Sequence, residues 1–155
     1  MKNILILLTG VIIFIILVGL LTQRLQNINS RKEISVGNTK IKVDVADTEE
    51  KRKLGLSGKT TLGENEGVLF VFGQKDVYPS FWMREMRIPI DIIWVNDGIV
   101  AKIDKDISAP GEGTPDSALQ LYHPDKPIDY VLEVNAGFSD KNGLKVGDKV
   151  DLLDI

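Results

Sequence analysis

Cysteine is absent from the chain, and histidine occurs once, at position 123. The first absence excludes a disulfide framework, a thiol nucleophile, an iron–sulfur cluster and lipidation at an amino-terminal cysteine. A lone imidazole excludes any site that needs two, and most zinc chemistry goes with it. Basic residues are outnumbered, 19 against 22 acidic. After residue 33 the excess grows to 15 basic against 21 acidic residues, a balance of −6, and a nucleic acid is therefore not the expected partner. The run Lys51-Arg52-Lys53 is too short to reverse this and reads as a solvated helix face. P-loop, dinucleotide-binding, kinase and G-x-S-x-G signatures are all missing, so the one imidazole has no serine elbow to serve. An EF-hand started at Asp104 fails as well, because Ala109 stands where glycine is required and Pro115 where an acidic ligand is required. No cofactor and no metal site is expected, and no catalytic residue is assigned.

What the chain does have is one long apolar run. Residues 4 to 21, ILILLTGVIIFIILVGLL, carry no charge and are flanked by Lys2 and Arg24. As a helix these residues extend roughly 27 Å, close to the thickness of bilayer hydrocarbon. No small-x-small cleavage pattern follows, so the run reads as an uncleaved signal anchor, not a removable signal peptide. The expected organisation is an anchor over 1–24, a polar tether over 25–33 and a domain over 34–155, with the bilayer contacted through Ile4 to Leu21. Arg24, Arg31 and Lys32 after the run slightly outnumber Lys2 and the amino terminus before it, which favours a cytoplasmic domain. Long domains cross largely regardless of such charges, and a short amino-terminal tail commonly stays inside. The expectation is a single-pass protein of the cell membrane with an extracytoplasmic domain.

The remaining 122 positions alternate as short strands. Ile41, Val43 and Val45 alternate with polar neighbours; Asp47 then offers an N-cap with Glu50 three residues on, starting a short helix that ends near Gly55. Val68 to Phe72 is a continuous apolar run of core-strand type. Asn96-Asp97-Gly98 separates two alternating runs and predicts a tight hairpin. Ile99, Ala101, Ile103 and Ile107 are expected on one face of its return arm. Tyr130, Leu132 and Val134 alternate with Val131 and Glu133 as a further strand, Ala136 to Asn142 allow one helical turn, and Lys149 to Leu153 read as an edge or closing strand. Six or seven short strands with one or two short helices predict a mainly β domain, a compact twisted barrel or sandwich, preceded by the transmembrane helix.

Several of these segments occur together elsewhere. GVLFVF at 67–72, FWM at 81–83, IPIDIIWV at 88–95 followed by DG, VLEVNAG at 131–137 and NGLKVGDKV at 142–150 resemble domain-of-unknown-function family number 192, an uncharacterised conserved membrane protein family. LGLSG at 54–58 looks like the family's G-L-M-x-R-type turn. The likeness spans about residues 36 to 153. It implies a compact, mostly β domain, often exported or membrane-tethered, for which no general activity is established. Where the family carries M-K-N-T, this chain has Met83-Arg84-Glu85-Met86, so the amide and hydroxyl are replaced by a carboxylate and a thioether.

Six residues are candidates for ligand binding: Trp82, Asp91, Arg84, Glu85, Tyr122 and His123. Trp82, beside Phe81 and Met83, offers a flat apolar ring. Asp91 lies in an apolar strand, where it either pairs with Arg84 or Arg87, caps backbone N–H groups, or is held free for chemistry. His123 sits between Tyr122 and Pro124, where a surface loop is the plainer reading. The expected function is a non-catalytic binding or accessory domain for a small molecule, an envelope polymer or a protein. The alternative is carboxylate-based hydrolysis or elimination by Asp91 and Glu85 with His123, which requires titratable groups converging across one pocket.

Overall fold

A computed structural model describes residues 2 to 29, 31 to 152 and 155, with side chains outside 2–8 and 23–29. Two compact units divide between residues 31 and 32. The first holds one helix, α1 (Lys2–Asn29). Its expected membrane-crossing stretch falls partly on side chains outside the described set; among the described residues, no helix is long and apolar enough to cross a membrane. The stretch expected as a tether, 25–33, contains the end of α1 and the start of the first strand.

The second unit contains β1 (Lys32–Val36), β2 (Thr39–Ala46), α2 (Glu49–Leu54), β3 (Glu66–Val71), β4 (Phe81–Trp82), β5 (Ile90–Asn96), β6 (Ile99–Ile107), a 3-10 turn at Asp116–Ala118, β7 (Leu121–Tyr122), β8 (Tyr130–Asn135), α3 (Phe138–Lys141) and β9 (Val150–Asp151). Seven strands form one sheet in the order β6-β5-β8-β3-β2-β1-β9, while β4 and β7 pair separately. Among the described residues, only β2 and β3 pair in parallel. The sheet curls until its two ends meet: Val100 N–H donates to the Asp148 carbonyl at 2.9 Å, and Val150 N–H to the Gly98 carbonyl at 2.8 Å. The result is a nearly closed mixed barrel, the first of the two architectures expected.

The strands pack apolar side chains on both faces. Inside the barrel lie Ile34, Ile41, Val43, Leu69, Ile93 and Leu132. Outside β3, β5 and β8 lies a second cluster of Phe70, Ile92, Trp94 and Val131, covered by Met83, Met86, Ile88 and Ile128 from the long connections. This two-sided burial explains why 68–72 and 92–95 are unbroken apolar runs.

The hairpin forms as expected, with Asp97 at φ 48° and Gly98 at φ 68°, the positive values that a two-residue turn of this hand needs. Its return arm differs from the simple alternation. Register shifts between Ile90 and Ile92 and between Trp94 and Val95 break the period of two. Val100 and Ile103 therefore face the barrel interior, Ala101 and Ile107 join the outer cluster, and Ile99 is partly exposed. The cap of α2 is also shifted by one residue. Thr48 Oγ1 accepts from Lys51 N–H at 3.3 Å, leaving Asp47 to pair with the Lys51 ammonium at 2.7 Å.

Candidate functional site

The outer cluster is open at one point, where α2, the 81–86 segment and the face of β8 border a groove of about 540 Å³. Each wall follows from local chemistry. Arg52 donates to the carbonyls of Asp47 and Val71 at 2.8 and 2.9 Å, which fixes α2 against the end of β3 and lays the guanidinium 5.9 Å from the Phe72 ring centre. Beyond α2 the chain turns at Gly55, φ 47°, passing so close to the sheet that a β-carbon there would stand 3.0 Å from Phe70 and 3.4 Å from the Glu133 carboxylate. Glycine is required on both counts.

The opposite wall begins with Phe81, which meets Phe70 edge to face at 4.8 Å and Trp94 at 5.5 Å. Trp82 then points outward, 46% exposed, with the Arg84 guanidinium 5.7 Å from its ring centre. Two bonds join this wall to the Gly55 turn. Gly58 N–H donates to the Glu85 carbonyl at 2.9 Å, and Ser57 Oγ donates to the Arg84 carbonyl at 3.1 Å. Glu85 itself holds φ 57°, an uncommon conformation for a residue with a side chain.

Glu133 forms the floor. It is 5% exposed, its cross-strand neighbours are Val68 and Ile92, and its Oε2 is buried without a hydrogen-bond partner. Burial pushes its carboxyl up from 4.5 to about 8. Most of this acid is therefore protonated at neutral pH. Alternation along β8 puts Glu133 with Val131 on the face opposite Leu132 and Val134, and sequence reasoning gives it no role. The missed signal is position: β8 lies between β3 and β5, and a carboxylate in a central strand of a short, two-sided apolar run has nowhere solvated to go.

The six residues expected to bind ligand are distributed over four places. Trp82, Arg84 and Glu85 line the groove above Glu133. Tyr122 lines a second, more open concavity of about 770 Å³ together with Met83, Asp104 and Asp106, and burial followed by the Asp104 charge raises its hydroxyl pKa. His123 is exposed, with Nδ1 3.2 Å from Ser80 Oγ, and lines neither space. Asp91 is fully buried near α3, where it accepts from Asp106 N–H at 2.9 Å, Gly137 N–H at 3.1 Å and Ser139 N–H at 2.8 Å. Of the roles open to it, backbone capping is the one observed; Arg84 instead pairs with Asp116 at 3.4 Å and Glu85 at 3.8 Å. Asp91, Glu85 and His123 thus do not converge. Among the described residues, no cluster of three histidine or carboxylate groups is placed to hold a metal ion.

Residues 32–152 match the DUF192 family model, described as "Uncharacterized ACR". The chain belongs to this family. No curated protein matches it. A similar solved structure is that of a protein of unknown function from Novosphingobium aromaticivorans DSM 12444, 31% identical, with TM-score 0.69 over 78% of this chain and 84% of that one. A putative transcription regulator from Sinorhizobium meliloti 1021 has TM-score 0.70 over 79% of this chain and 93% of its own, at 23% identity, a likeness of fold alone. The DUF192 match stops at residue 32, so α1 lies outside it.

Proposed function

We propose that this protein is a non-catalytic binding module, tethered to the cell membrane by residues 4–21 and displayed outside the cytoplasm, whose groove above Glu133 takes a small organic molecule or one group of a larger envelope polymer or protein. The observation that carries the reading is the groove itself: an aromatic-walled concavity with a single unpartnered polar group at its base, the pattern of a ligand site in which apolar walls give area and a few polar groups give orientation. Catalysis is disfavoured because the titratable groups it would use stand apart. The tether is supported by the uncharged run at 4–21 and by the apolar side chains of residues 11 to 18, exposed on every side of α1. The acid excess of the domain argues against nucleic acid.

Ligand-observed NMR of the full chain in lipid nanodiscs, screened against a fragment library, checks the groove. We expect hits whose signals fade in Trp82→Ala; a library without a single hit displaced by that change overturns the reading. For the tether, carbonate washing should leave the full chain in the membrane fraction, and protease added to intact cells should remove the domain.

A further inference from the structure

The groove's charges are unevenly matched between mouth and floor. At the mouth, α2 contributes Glu49, Arg52 and Lys53, and the 83–86 segment contributes Arg84 and Glu85. These groups already have partners: Lys53 pairs with Glu49 at 2.7 Å, Arg84 with Glu85 and with Asp116, and Arg52 donates to two backbone carbonyls. At the floor, Glu133 faces Val68 and Ile92 across the strands and Phe70 beside the groove, and among the described residues no cation pairs with it from the sheet or from the mouth. A carboxyl group in such a place is costly unless something supplies the missing donor. The rings around it have π faces that attract cations, as the stacking of Arg52 on Phe72 and Arg84 on Trp82 demonstrates.

We propose that the groove binds a primary ammonium group, with Glu133 as its anchoring carboxylate and Phe70, Phe72 and Phe81 enclosing the attached alkyl chain. This assignment rests on reading the groove as a ligand site and adds the class of ligand. On binding, the Glu133 carboxyl gives its proton to solvent, and the carboxylate accepts hydrogen bonds from the ammonium. The carboxyl O–H bond is the one covalent bond broken: its electron pair stays on the Glu133 oxygen and its proton passes to water.

The probe is n-butylamine, a lysine side-chain analogue that stays protonated to about pH 10.4, with n-butanol as its uncharged counterpart. Both are titrated into the full chain in detergent and followed by chemical shifts. Because burial holds Glu133 near 8, its ionised fraction rises from about a tenth at pH 7 to about nine-tenths at pH 9. We expect butylamine to bind about tenfold more tightly at pH 9 than at pH 7, and at pH 9 at least tenfold more tightly than butanol. Glu133→Gln should abolish both differences while keeping the near-ultraviolet circular dichroism of buried Trp94. Equal binding of amine and alcohol, a flat pH profile, or unchanged affinity in the variant overturns the ammonium assignment and leaves the groove a binding site. Absence of binding by either probe also overturns it, and the fragment screen then judges the groove separately.

Discussion

Two carboxylates on opposite faces of one sheet meet opposite fates. Asp91 is wholly buried yet receives three backbone N–H groups, whereas Glu133 is nearly as buried with one oxygen unpartnered. Removing the first acceptor leaves three donors stranded, so Asp91→Ala is expected to lower the unfolding free energy by about 3–5 kcal/mol in urea titrations. Glu133 acts through pH. Its folded pKa lies above its ordinary value, so the folded state holds a proton that the unfolded chain has lost. Its stabilising contribution is full below about pH 4.5 and declines as pH rises to about 8, with a slope of at most about 1.4 kcal/mol per pH unit. Urea unfolding at pH 5 and 8 should reveal that decline in the natural chain, and Glu133→Gln should flatten it. In the sequence, Asp91 stands out because it lies on a strand face between Pro89 and Ile93, and capping is among the roles expected of it. Its three donors come from residues 106, 137 and 139, a convergence that only the closed sheet creates.

At the scale of elements, Gly67 of β3 leaves no room for a side chain against β8. A β-carbon there would lie 2.5 Å from the Glu133 carbonyl oxygen, a backbone atom with no freedom to swing away. Gly67→Ala should therefore push β8 outward. The expected outcome is a loss of several kcal/mol by the same titration, of the order of an overpacked core, with weakened fragment binding because the groove floor moves with the strand. The hairpin was legible because Asn-Asp-Gly specifies its turn locally, and α2 because its acids and bases are ordered along it. The faces of β6 were not: two register shifts in its pairing with β5 depend on the partner strand, not on the spacing of Ile99, Ala101 and Ile103. The groove was half legible. Trp82, Arg84 and Glu85 are neighbours in sequence, but α2 and β8 reach them only through the fold.

For the molecule as a whole, the division between residues 31 and 32 separates a helix from a domain with its own core. Residues 32–155 produced alone are expected to melt at the temperature of the full chain, checked by circular dichroism in matched detergent. A lower value by more than a few degrees would mean that α1 supports the barrel. The outline of the barrel follows from counting short strands, and the last of them reads as an edge or closing strand; the partners it closes on do not follow, since β9 contributes two residues and the bonds around it are made by turns. That closure sets a timetable. A polypeptide synthesised from its amino terminus cannot join residues 98–100 to 148–150 until the latter have been made, so the nascent sheet keeps both margins free until then. A chain whose latch is fitted last holds its sheet open while the latch is still missing, and locks only once both ends are present.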